Sequence, residues 1–175
     1  ALLEELKEVE GEATGVQWRF QTARVLLQRP AWRPERAVQD NIQALLRFCS
    51  DADPRWVPPV ILLGRMHEAL GDLDAAEAVY ANALKQVDAT EIADQLLGLY
   101  ERQRRFSEAR ALLERMGTRF APRALGTRRV LLALGAGETG SAIAELEAQV
   151  ARPDRTAMDY VFLASAVYRD QRDVT

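Results

Sequence analysis

Cysteine is all but missing from this sequence. Cys49 stands alone, so no internal disulfide can form and the redox compartment stays open. His67 is the only histidine, and one histidine with one cysteine cannot build a zinc site without several carboxylates. No metal is therefore expected. Lysine is reduced to Lys7 and Lys85, and nearly every cation is an arginine. That bias reads mainly as genomic base composition, although arginine also suits carboxylate recognition. No apolar run approaches the roughly 18 residues of a membrane span. The formal net charge of −3 exerts no general pull toward nucleic acid or an anionic membrane. Neither is expected as a partner.

What the chain does have is helical periodicity. Its 175 residues, 48% of them hydrophobic, suffice for one extended domain. Val60, Leu63, His67 and Leu70 recur at three and four, as do Leu73, Ala76, Tyr80, Ala83 and Leu84. Leu96, Leu99, Tyr100 and Gln103 repeat the first pattern; Phe106, Ala109, Leu112, Leu113 and Met116 repeat the second. The spacing predicts ten helices, at roughly 2–11, 15–29, 34–49, 55–70, 73–87, 90–103, 106–118, 122–135, 139–151 and 156–171. Asp72 and Ser107 are candidate N-caps, and Gly71 and Gly117 suit helix exits. Pro30, Pro34, Pro54, Pro122 and Pro153 are expected between helices, where a missing amide costs little.

A longer period overlies the short one. Ala76, Ala109 and Ala142 are evenly spaced at about 33 residues, a period that marks stacked helix pairs. Each follows a turn carrying Gly71, Arg104 or Gly137, and each precedes a large side chain: Tyr80, Leu113 or Leu146. Pairs are predicted at about 15–49, 57–89, 90–122 and 123–155, with unpaired helices at about 2–11 and 156–171. The segment from Arg29 to Pro34 is too long for the tight turn used later, so the first pair departs from the others.

The segment Leu63-Gly64-x-x-His67-x-x-x-Gly71-x-x-x-x-Ala76-x-x-x-Tyr80-x-x-Ala83 resembles the tetratricopeptide repeat. Gly64 and Ala76 are small where two helices would cross closely, and Tyr80 fills the space beside them. The next repeat keeps Leu96, Tyr100, Ala109 and Leu113 but carries Leu97 in the glycine slot. The third keeps Gly137, Ala142 and Leu146, with Val130 and Ala133 in the other slots. HEAT and armadillo repeats, at about 40–47 residues, fit the spacing less well. A pentatricopeptide RNA reader would need a basic track that this chain lacks.

The resemblance implies an all-α, right-handed superhelical solenoid occupying residues 1–175 as one domain. It also implies a groove lined by the first helix of each pair, built from Ile61, Leu62, Arg65 and Glu68, then Asp94, Gln95 and Glu101, then Thr127, Arg128 and Leu131. Chaperone-binding members of the family clamp a terminal carboxylate with lysine, asparagine and arginine in that groove. The matching slots here hold Ile61, Arg65, Gln95, Ala124 and Arg128, so the lysines are gone. Arg65, Gln95 and Arg128 retain the capacity to bind an acidic or extended peptide. The function expected is a protein–protein interaction scaffold without catalysis. The alternative is the regulatory or substrate-presenting array of a larger enzyme.

Other features point to packing rather than chemistry. Gly135-Ala136-Gly137-Glu138-Thr139-Gly140 spells the dinucleotide fingerprint, but that motif needs a preceding strand and a parallel sheet. At the turn between two helices it reads as a glycine-rich loop, and no cofactor is expected. His67 lacks the nucleophile and orienting partner a catalytic base needs. Cys49 is either a small apolar packing residue or a partly exposed thiol. Glu4, Glu5, Glu8, Glu10 and Glu12 read as a solvated acidic face, and Arg102, Arg104 and Arg105 as an exposed helix end. The acidic, amphipathic opening from Ala1 to Glu8 does not resemble a signal peptide. The unpaired first and last helices suggest a piece of a longer array, whose uncovered ends would favour self-association.

Overall fold

Helices with short connections account for the described residues, as the apolar spacing requires. A computed structural model describes residues 2–173. Among the described residues there are ten α-helices and no strand: α1 (Leu2–Glu10), α2 (Gln17–Gln28), α3 (Arg36–Ala52), α4 (Val57–Leu70), α5 (Leu73–Ala83), α6 (Thr90–Arg102), α7 (Phe106–Met116), α8 (Pro122–Gly135), α9 (Thr139–Val150) and α10 (Ala157–Asp173). The protein is all-α. Short 3-10 turns at Pro30–Trp32 and Gly117–Arg119 were not legible in the apolar pattern.

The helix ends have local causes. α3 runs on to Ala52 and stops where Asp53, extended at φ −142°, precedes Pro54. Pro122 is not a linker residue: it opens α8 from within its first turn, where its missing amide would be unpaired anyway. α5 closes at Ala83, short of the expected end, because Lys85 and Gln86 donate to the Asn82 and Ala83 carbonyls in tighter turns.

The turns repeat more faithfully than the side chains. Gly71, Arg104 and Gly137 all take left-handed backbone, at φ 78°, 59° and 78°. Gly71 N–H donates to Glu68 O and Asp72 N–H to His67 O. Arg104 and Arg105 donate in the same way to Glu101 and Tyr100, and Gly137 and Glu138 to Leu134 and Ala133. This paired bonding satisfies the last carbonyls of each helix through a left-handed residue. Ala76, Ala109 and Ala142 then donate to the carbonyls of Asp72, Arg105 and Glu138 to start the following helix, and all three are fully buried.

Arg104 is the one side chain among these three turns held in a conformation that suits glycine. Arg104→Gly is expected to stabilise by up to about 1 kcal/mol, and Gly71→Ala or Gly137→Ala to destabilise by about 1–2 kcal/mol. No atom lies within 4 Å of a Cβ built on either glycine, so backbone conformation alone decides the sign. Urea unfolding of the three variants checks it; equal stability for Gly71→Ala and the parent would refute the shared turn.

The chain divides into two compact units, one up to Leu96 and one from Leu97, with the boundary inside α6. In the first, α1 packs on α2, α2 on α3, α3 on α4 and α4 on α5. Its core gathers Ala23, Trp32, Ile42, Leu46, Leu63 and Met66. Trp32 explains the long Arg29–Pro34 connection: the 3-10 turn drops its indole into this core. In the second unit α7 packs on α8, α8 on α9 and α9 on α10. There Val130, Ala133, Ala142, Leu146 and Ala166 form the centre. Gly64 meets Tyr80, and Gly126 meets Gln149, at near-equal sequence distances on either side of their turns. The members of α4–α5 and of α8–α9 are therefore antiparallel.

Several surface charges have structural duties. Glu10 is not simply solvated: its carboxylate accepts from the Gln17 and Trp18 amides at 3.2 and 2.8 Å, capping α2 from the end of α1. The Arg19 guanidinium lies over the Trp18 and Phe48 rings while donating to the Gly15 and Glu12 carbonyls. Ser107 is not the N-cap of α7, because the left-handed turn places Arg105 there. The Ser107 hydroxyl bonds Glu108 instead and, with Arg105, holds that carboxyl down to about 2. Arg105 also stacks on Tyr100, so it is more than an exposed helix end.

Candidate functional site

The first helices of the predicted pairs, α4, α6 and α8, carry the expected groove residues. Arg65 on α4 donates through Nε to Gln95 Oε1 on α6 at 3.0 Å, and Arg65 is exposed. In the second unit, Arg128 Nη1 on α8 lies 3.6 Å from Glu101 Oε1 on α6. Four of the expected groove residues are thus paired with one another, each pair within one unit. Thr127 and Leu131 are exposed on α8, with the Thr127 hydroxyl donating to the Arg123 carbonyl of its own helix.

Other expected residues turn elsewhere. Glu68 accepts from the Tyr80 hydroxyl at 2.8 Å and so closes the α4–α5 pair. Leu62 packs against the core of the first unit. Ile61 and Asp94 are half-buried on α4 and α6.

Beside Thr127 and Leu131 lies a cavity of about 270 Å³ between α8, α9 and α10. Val130, Leu134, Leu146, Phe162 and Ala166 make it largely apolar. At its polar margin Arg123 Nη2 holds Asp159 at 2.8 and 3.1 Å and reaches Thr156 Oγ1 at 3.2 Å. Asp159 is buried; the Thr156 amide, first among its partners, holds its carboxyl below the usual carboxylate range. Gln149 lines the same cavity, 6% exposed, and its buried Nε2 has no hydrogen-bond partner among the described residues.

Sequence reasoning missed Arg123, Gln149, Asp159 and Phe162. Two signals were available. Thr156-x-x-Asp159 is a capping box at the head of α10. Gln149 continues the Ala142–Leu146 stripe, placing an amide where the helix period asks for an apolar residue.

The remaining polar candidates are packed. His67 is buried, its Nδ1 without a hydrogen-bond partner among the described residues and 3.7 Å from Asp72 Oδ2. Burial lowers its pKa, opposed by the Asp72 carboxylate and assisted by Arg47. The fold therefore holds a neutral imidazole that the unfolded chain would protonate more readily. Stability is expected to be full above the ordinary value near 6.5 and to fall as pH drops through it toward the lowered folded value. His67→Phe should remove that dependence between about pH 7 and 5; a variant with the parent's pH profile would show that His67 does not cause it.

Cys49 is a buried packing residue, its Sγ donating to Val16 O at 3.3 Å, and burial pushes the thiol pKa up. The 135–140 segment is helix end, left-handed turn and helix start rather than strand and loop. Gly135 is needed for packing, because a Cβ there would come within 2.7 Å of the Phe106 ring. Among the described residues no three His, Cys, Asp or Glu side chains converge to hold a metal ion, and no helix is long and apolar enough to cross a membrane.

In comparisons with known proteins, no family model matches the sequence and no curated protein matches it.

Proposed function

We propose that this chain is a tetratricopeptide-like interaction scaffold, one extended helical repeat domain that binds a protein or peptide segment along its first helices. The observation that supports it most directly is the threefold recurrence of one turn, at Gly71, Arg104 and Gly137, with the same bonds and the same buried alanine after it. Within each unit such pairs offer their first helices as a receptor surface. Arg65, Gln95 and Arg128 are the polar contacts offered to an acidic or carboxylate-bearing segment, since a guanidinium forks onto a carboxylate where an ammonium cannot. The outer face of α10, with Met158, Tyr160 and Val161 exposed, supports self-association as a second mode of contact.

The test is a pull-down from a lysate of the source organism with the parent and an Arg65→Ala, Arg128→Ala double variant. The Arg65–Gln95 pair is exposed and contributes little, while the Arg128–Glu101 pair is half-buried and contributes more. Circular dichroism should therefore first show the double variant folded, and the pull-down should then show the loss of its acidic partners. A folded variant with an undiminished partner set would move the binding surface off α4 and α8.

A further inference from the structure

The outer face of α10 has an order of its own. Asp159, Leu163 and Ala166 make up the side of the helix that packs into the second unit. Between Ala157 and Tyr168 the only charged residue is Asp159, which is buried and held by Arg123. The rest of that span is uncharged, and Met158, Tyr160, Val161, Phe162 and Tyr168 are each more than half exposed. A helix apolar on nearly every side is ordinarily covered on nearly every side.

The arrangement of that face narrows what covers it. Opposite the packed side, Ala157, Val161, Ala164 and Tyr168 recur at four, three and four, the spacing of a seam between two helices, and all four are exposed. Their sizes are ordered along the helix. Laid against a reversed copy of itself, the row sets Tyr168 over Ala157 and Val161 over Ala164, a larger group over a smaller one at every level. Laid in the same direction, it sets Tyr168 on Tyr168 and Ala157 on Ala157, so the rings hold the alanines apart. The area also suits a pair. The three rings leave roughly 300–400 Å² in water, and Met158 and Val161 bring the face to roughly 500–600 Å². Two such faces together reach about 1,000 Å², the size a specific interface has to clear. The exposed apolar residues of α1, Leu2 and Val9, are a poorer match. They alternate with the exposed Glu4, Glu5 and Glu8, and an α10 laid there would strip water from those carboxylates.

We propose that α10 pairs with α10 of a second copy of this chain, antiparallel about a two-fold axis, in the register Ala157–Tyr168 and Val161–Ala164. An isologous pair of this kind closes after two copies, giving a dimer and not a filament. The pairing rests on reading α10 as a self-association surface and is independent of the arginine contacts on α4 and α8.

Sedimentation equilibrium on the full chain is expected to show a concentration-dependent monomer–dimer equilibrium. Val161→Glu puts two carboxylates into the seam and should weaken the dimer roughly a hundredfold, with the helix signal in circular dichroism retained. Cross-linking reads the direction of the pair. Mild oxidation of a mixture of Ala157→Cys and Tyr168→Cys should join one variant to the other, and neither to itself. Antiparallel pairing keeps like positions about 16 Å apart along the helix, too far for a disulfide, and Cys49 is buried and does not compete. A chain that stays monomeric at every concentration overturns the proposal and leaves the face to a different protein. A dimer indifferent to Val161→Glu, or variants that each cross-link to themselves, overturns the antiparallel seam. The Arg65→Ala, Arg128→Ala chain should dimerise like the parent. A monomeric parent that still captures acidic partners sinks the pairing and spares the groove, and a dimer that captures none does the reverse.

Discussion

Gly64→Ala is expected to destabilise the protein by about 1–3 kcal/mol, although alanine normally improves a helix interior by about 1 kcal/mol. The added Cβ would lie within 2.6 Å of the Tyr80 hydroxyl oxygen and closer still to its ring carbons. Tyr80 is fully buried and tied through that hydroxyl to Glu68, so the ring cannot simply swing aside. At about 2–4 °C per kcal/mol for a chain of this size, the melting temperature should fall by several degrees. The second repeat shows the compensation. It holds Leu97 in the glycine slot and Leu113 in the tyrosine slot, both buried. A Gly64→Leu, Tyr80→Leu double variant should therefore be more stable than the sum of its single variants predicts, by about 0.5–3 kcal/mol of coupling. Additive effects in thermal unfolding would mean that the two positions do not share one packing space.

The same exchange of volumes explains which parts of the fold were legible. Alanine recurs at 76, 109 and 142, each at zero exposure, where a larger side chain would have to displace packed neighbours. That constancy is visible in one sequence. The glycine and tyrosine slots hold Gly64 with Tyr80, Leu97 with Leu113 and Val130 with Leu146, so each slot looks degenerate alone. The left-handed turns were visible at Gly71 and Gly137 but hidden at Arg104, because nothing in an arginine announces positive φ. Helix existence followed from apolar spacing; helix ends depended on turns such as Lys85–Asn82 that carry no apolar signature.

The candidate site was legible in part for a similar reason. Thr127 and Leu131 could be placed from the repeat register, since α8 presents them at fixed offsets from the turn at Gly137. Arg123, Asp159 and Gln149 act across three helices that are distant in sequence, and no periodicity encodes such a meeting. Glu68 has a second tie that the register does not encode. Register puts it on the outward side of α4, but the Tyr80 hydroxyl draws its carboxylate back into the helix pair.

Removing the Asp159 carboxylate should release α10 from the rest of the second unit. Asp159 accepts from the Thr156 amide at 2.6 Å, from the Thr156 hydroxyl at 2.9 Å and from Arg123 at 2.8 Å, so it caps α10 and ties it to α8 together. Arg123 also donates to the Asp154 carbonyl, fixing the connection that leads into the helix. In Asp159→Ala these donors lose their common acceptor, and the site of the buried carboxylate is left without the group that joined them. Amide exchange along α10 should then quicken by roughly an order of magnitude at neutral pH, with α4 and α5 unaffected. Acid should reproduce the effect in the parent. The folded carboxyl titrates below its ordinary value near 3.9, so its contribution is complete above that value and is lost as pH falls through it. Exchange in α10 should converge for parent and Asp159→Ala between about pH 4 and 2. An α10 that exchanges equally in both proteins at pH 7 would show that the helix is held by its Leu163 and Ala166 packing alone.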